Sequence, residues 1–289
     1  MEMMIIDSHV NFWKFKSLKA DWVSDKNMKL LQKDYLPDHL RSSLINNEVQ
    51  GVIAIQAEES EVETLWLIEL ANTYDWIFGV VGWVDMMGEN TREKIYEFSR
   101  HRRLRGYRYP LNNKPFEVVT NRTFRYNMSL LKDYDYTFDL VIRPDQADSG
   151  VILAQAYPHQ VLILNHCGLP DIRSKEMNQW KEAIKELATY PNVFCKLSGL
   201  LTQVHYKKWS PADFYPYFDV LFENFGTHRL MFGSDWPTML LSGSYLQWKS
   251  LIEKYMENMT FEEKDAVMGF TTARVYDKQW ELIYPISNT

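Results

Sequence analysis

The sequence predicts an α/β fold of the (β/α)8 barrel (TIM barrel) type, a single domain over residues 1–289 with elaborated loops above the carboxyl-terminal mouth. Three observations predict it. Short apolar, β-branched runs recur with helical or polar segments between them, the pattern of parallel strands joined by crossovers. The 289 residues exceed the ~250 typical of such a barrel, which leaves room for long loops. No linker rich in Pro, Gly or Ser, no internal repeat and no low-complexity segment divides the chain.

The runs follow in order. Strands are expected at residues 4–9, 51–56, 77–84, 104–107, 137–142, 161–165, 193–197 and 229–233. Between the first two, residues 13–37 are long, polar and carry Trp22, which predicts an extended loop over the mouth. Residues 61–74 read as a helix whose apolar stripe is Val62, Leu65, Ile68 and Leu70, and residues 177–189 and 212–225 follow the same logic. The aromatic richness of the last is expected to pack on the barrel.

Composition narrows the function. With 46% hydrophobic and 15% aromatic residues a large core is expected, and a net charge of −6 without basic runs argues against a nucleic-acid surface. Cys167 and Cys195 lie far apart without metal-ligand spacing, which fits a reducing compartment. The longest apolar stretch, residues 76–84, is too short to cross a bilayer, so a cytoplasmic protein without a membrane partner is expected.

In a barrel of this kind, polar residues at the carboxyl ends of strands share one pocket. Met231, Gly233 and Asp235 share a face at the end of the eighth strand; Asp7, His9 and Asn11 share one on the first; Leu162, Leu164 and His166 on the sixth; Lys196 and Ser198 on the seventh. Each has a plain structural alternative, such as a turn cap for Asp235 or an ion pair between Lys196 and an inward acid such as Asp7. Together they supply a base, an electrophile and a charge stabiliser. Dinucleotide, P-loop, nucleophile-elbow and zincin motifs are absent.

Seven pieces, in this order, carry a resemblance: residues 7–13 (Asp-Ser-His-Val-Asn-Phe-Trp), 63–66 (Glu-Thr-Leu-Trp), 79–85, 104–108 (Leu-Arg-Gly-Tyr-Arg), 165–170 (Asn-His-Cys-Gly-Leu-Pro), 195–199 (Cys-Lys-Leu-Ser-Gly) and 233–237 (Gly-Ser-Asp-Trp-Pro). Across nearly the whole chain the sequence resembles the amidohydrolase superfamily, in its branch of sugar-lactone hydrolases. The resemblance implies hydrolysis of a sugar-acid lactone or similar cyclic ester, with Asp235 as general base on water and His9 and His166 polarising the carbonyl. Asn11, Trp13, Gln56, Arg108, Lys196, Ser198 and Trp236 are the expected substrate-binding residues. The family's first strand usually ends in two histidines; here the second is Asn11, a weaker ligand than imidazole. His9, His166 and Asp235 are then the residues for one divalent ion such as zinc, and no essential cofactor is expected. A homodimer is compatible with the sequence. Two alternatives stay open: a metal-dependent decarboxylase of the same superfamily, and a non-catalytic ligand-binding barrel with an eroded metal site.

Overall fold

Eight parallel strands run in sequence order around one sheet: β1 (Ile6–Val10), β2 (Gly51–Ile55), β3 (Ile77–Gly82), β4 (Leu104–Pro110), β5 (Thr137–Val141), β6 (Leu162–Leu164), β7 (Val193–Leu197) and β8 (Leu230–Phe232). This computed structural model describes residues 3–18, 23 and 25–277, and the (β/α)8 barrel is the fold expected. Trp22 lies outside the described residues. The barrel closes where Val10 pairs in parallel with Trp236; Asn11 N donates to Trp236 O at 2.8 Å and Asp235 N to His9 O at 2.9 Å. Closure therefore runs through the residues that carry the site.

Local chemistry explains the helices around the sheet. Ser60 starts the helix Glu61–Thr73 by accepting from Glu63 N, and Asn121 starts Arg122–Leu130 by accepting from Thr123 N. The helix Asn178–Ala188 buries Trp180, Ala183, Ile184 and Leu187, a spacing that keeps one face on the sheet. Tyr215–Phe225 buries Tyr217, Phe218, Val220, Leu221 and Phe225 as the aromatic content implied, and stops at Gly226, whose φ of 64° suits glycine. The stripe expected on Glu61–Thr73 is corrected: Val62 is 77% and Leu65 43% exposed, while Thr64, Leu67, Ile68 and Ala71 are buried. The helix is rotated so that Thr64 Oγ1 receives Trp83 N at 2.8 Å and donates to Trp83 O, which ties it to the end of β3.

The interior of the barrel is filled by Ile53, Ile55, Val81, Ile163 and Met231, with Val275 and Tyr276 from the helix Thr271–Tyr276 packed against them. The larger core lies between sheet and helices. Among the described residues no helix is long and apolar enough to cross a membrane. The loop after β1 folds back on itself, Trp13 and Tyr35 exchanging backbone hydrogen bonds at 2.9 Å, and Trp13, Lys14, Ser17 and Leu18 line a cavity at the mouth.

Candidate active site

Asp235 stands just past β8. Gly233 precedes it because a Cβ there would lie 2.9 Å from Ser8 Oγ and 3.2 Å from the Cβ atoms of His9 and Ser198. The backbone then turns left-handed at Asp235, φ 58°, a conformation that Asp and Asn accept better than other side chains. The carboxylate is 6% exposed, with Oδ1 3.9 Å from His9 Nε2. Burial pushes its pKa up to about 8, with the Arg108 cation opposing the shift.

His9 and His166 face each other, ring centroids 4.4 Å apart. Burial pulls both well below the usual histidine range; the His166 ring, Lys196 and Arg108 add to the effect on His9, and Arg108 and Lys196 to that on His166. Both rings are therefore neutral at physiological pH. Neither reaches the site by simple alternation. β1 pairs irregularly with β2 between Asp7 and Val10, so His9 does not continue the direction of Asp7. Asp7 instead accepts from Tyr245 Oη of the helix after β8 at 2.8 Å and from Ser234 N at 2.8 Å. On β6, Ile163 is the inward residue and Leu162 and Leu164 pack on the helices. His166 enters the mouth because it and Cys167 adopt left-handed φ of 53° and 54°.

Ser198 Oγ lies 3.1 Å from His166 Nδ1, so this serine orients the ring. Gly199 has φ 72°, and a Cβ on it would fall 2.5 Å from His166 Nδ1. Gly199→Ala is expected to lower kcat about 10²-fold by displacing the imidazole while the circular dichroism spectrum is retained; steady-state kinetics checks it.

Arg108, on β4, lies with Nη1 3.5 Å from His9 Nε2, and its Nη2 donates to Gln56 O. Asn11 Nδ2 donates to Ile55 O at 2.8 Å and Gln56 O at 3.2 Å, so the amide straps β1 to the end of β2. Asn11, Arg108, His166 and Asp235 line a chamber of about 190 Å³. A neighbouring cavity of about 890 Å³, lined by Trp13, Gln56, Glu63, Trp66 and others, shares Ala57 and Arg108 with it. Glu63 accepts from Ala57 N at 3.0 Å and Glu58 N at 2.9 Å, which fixes the loop between the two; burial pushes its pKa to about 8.

Three expected substrate contacts line neither cavity: Ser198, held on His166, and also Lys196 and Trp236. Lys196 is fully buried, lines neither cavity and donates to Asp139 Oδ2 at 2.6 Å, not to Asp7. Asn165 Nδ2 reaches the same oxygen at 2.8 Å, and Tyr276 Oη donates to Asp139 Oδ1 at 3.1 Å. Trp236 is 3% exposed and packs against Phe12 and Tyr35, ring centroids 5.8 and 5.2 Å away. Asp139 and Tyr276 escaped the sequence reading. An acid in the middle of the apolar run Phe138-Asp139-Leu140 was the available signal, since a buried carboxylate needs a partner.

The ligand atoms of His9, His166 and Asp235 lie within 4.8 Å of one another. Two imidazoles and a carboxylate with an open position is a donor set used by catalytic zinc, so these residues fit a divalent ion. The guanidinium of Arg108 is the nearby group that opposes one.

A (β/α)8 barrel that gathers two imidazoles and a carboxylate at the ends of β1, β6 and β8 defines a class, the barrel hydrolases. The chain belongs to the amidohydrolase family, in its lactonase branch, matching the family described as Amidohydrolase over residues 6–278. It is 33% identical to an L-fucono-1,5-lactonase of Burkholderia multivorans, over 96% of this chain and 97% of that protein. It is 28% identical to an L-fucono-1,5-lactonase of Burkholderia ambifaria, over 83% and 82%. A crystallised amidohydrolase from Burkholderia multivorans with bound zinc superimposes with a TM-score of 0.90 at 33% identity, covering 94% of this chain and 99% of that one.

Proposed function

We propose that the protein hydrolyses the lactone of a sugar acid or a similar cyclic ester. The observation that carries this is a buried carboxylate, Asp235, that lines a chamber of about 190 Å³ together with His166 and Arg108, with His9 Nε2 3.9 Å behind it. The likeness to lactonases supports the same substrate class.

In this reading Asp235 takes a proton from water as its oxygen attacks the lactone carbonyl carbon. His9 or His166, each neutral, donates an N–H to the oxyanion, and the Arg108 cation stabilises the developing charge. The ring C–O bond then breaks, and the leaving alkoxide takes the proton from Asp235, giving the open hydroxy acid. If a divalent ion is bound, His9, His166 and Asp235 would hold it and it would supply Lewis-acid polarisation of the carbonyl.

The test is a panel of aldonolactones followed with a pH indicator, on protein assayed for metal and split with and without chelator. Turnover of at least one lactone is expected; its absence, with decarboxylation of an aromatic acid instead, would overturn the reading. Asp235 must be ionised to act, and its pKa is pushed up to about 8. In chelated protein kcat/KM is therefore expected to rise with pH and level off above about 8. A cation at His9, His166 and Asp235 favours the carboxylate and would shift that limb to lower pH.

A further inference from the structure

The chamber at Asp235 and the larger cavity meet at Ala57 and Arg108, and their volumes differ, about 190 Å³ against about 890 Å³. The larger falls in the range of about 300–1,000 Å³ that takes drug-sized ligands. A single lactone ring seated against Asp235 is far smaller than both spaces together.

The wall of the larger cavity suits a neutral, hydroxyl-rich group. Trp66 is half-buried, and the exposed Lys14 covers its indole with Nζ 5.6 Å from the centroid, so a ring that packs there displaces a surface side chain. Gln56, Glu58, Asn112 and Asn113 add planar amides and a carboxylate, which match hydroxyl groups as donors and acceptors. Gln56 Oε1 and Asn112 Oδ1 are buried acceptors with no hydrogen-bond partner, and Gln56 is 1% exposed. Both atoms are closed off behind the cavity wall, so the exposed Asn113 amide is the group that meets a ligand there. At the rim Glu59 is paired with Lys114 at 2.8 Å. The other two cations on the wall, Lys14 and Arg108, are set against the carboxylates of Glu58 and Glu63.

We propose that this cavity is a second sugar subsite: the substrate is the lactone of a glycosylated aldonic acid, whose glycosyl residue packs on Trp66. The proposal rests on the lactonase reading. Contacts remote from the reacting carbon hold the lactone in place at Asp235, so they raise kcat as well as lowering KM.

Each aldonolactone hydrolysed in the panel is compared with its own mono-O-glucosyl derivatives, one linkage at a time, after subtraction of spontaneous hydrolysis. At least one derivative is expected to exceed its parent in kcat/KM by about tenfold or more. Trp66→Ala should remove that gain and leave the parent within about twofold. Asn113→Ala, at an exposed position, should reduce the same gain without touching the core. If no derivative exceeds its parent, or the gain survives both substitutions, the subsite is overturned and the lactonase reading stands. If no lactone is hydrolysed at all, both fall.

Discussion

Asp235→Asn is expected to lower kcat by about 10²–10⁴-fold, the range for removing a general base, with little change in KM. The substitution is nearly isosteric, and Asn accepts the left-handed φ of 58° at this position. The hydrogen bond from the backbone N of residue 235 to His9 O does not involve the side chain and persists. What is lost is the proton acceptor. Burial raises the Asp235 pKa to about 8, so above the ordinary carboxylate range the native state loses stability, either by protonating this group or by holding it ionised. A neutral amide removes that cost, and the variant should melt at the same temperature as the parent or higher. Loss of turnover combined with unchanged or raised Tm identifies a group retained for chemistry; undiminished turnover would remove Asp235 from the role. Metal content measured on both proteins separates loss of the base from loss of a ligand.

The barrel was legible because each strand announces itself as an apolar run, and all eight runs became strands. Asp235 was legible for the same reason, standing two residues past a glycine where a run ends. His166 was expected at the mouth, but on a period-two argument that does not hold: the chain leaves β6 early and two left-handed residues bring the ring in. Such a turn has no apolar pattern to reveal it. Asn11 stood out as a departure from a family pattern and proves to be a hydrogen-bonded strap to β2, as Asn165 is to Asp139. The partner of Lys196 was beyond a strand-by-strand reading, because β6 stands between β5 and β7 and the register that brings their inward residues level is set by pairing with it.

That partnership gives the largest expected effect on stability. Lys196 and Asp139 are fully buried and 2.6 Å apart, and burial works against the ammonium while Asp139 favours it. Lys196→Met leaves the Asp139 carboxylate with only the Asn165 amide and the Tyr276 hydroxyl. Removing one member of a buried pair costs about 3–5 kcal/mol, whereas replacing both by apolar residues is often neutral. Urea denaturation should therefore show a large loss for Lys196→Met and recovery of most of it when Asp139→Leu is added. The pH profile separates this from the electrostatic effect on the site. Lys196 lowers the pKa of Asp235 and helps hold His9 and His166 neutral. Without its charge the limb near pH 8 should move upward in Lys196→Met, and adding Asp139→Leu, which removes the adjacent negative charge, should bring it part of the way back. A limb that does not move in Lys196→Met would mean that Lys196 acts on the site through packing alone.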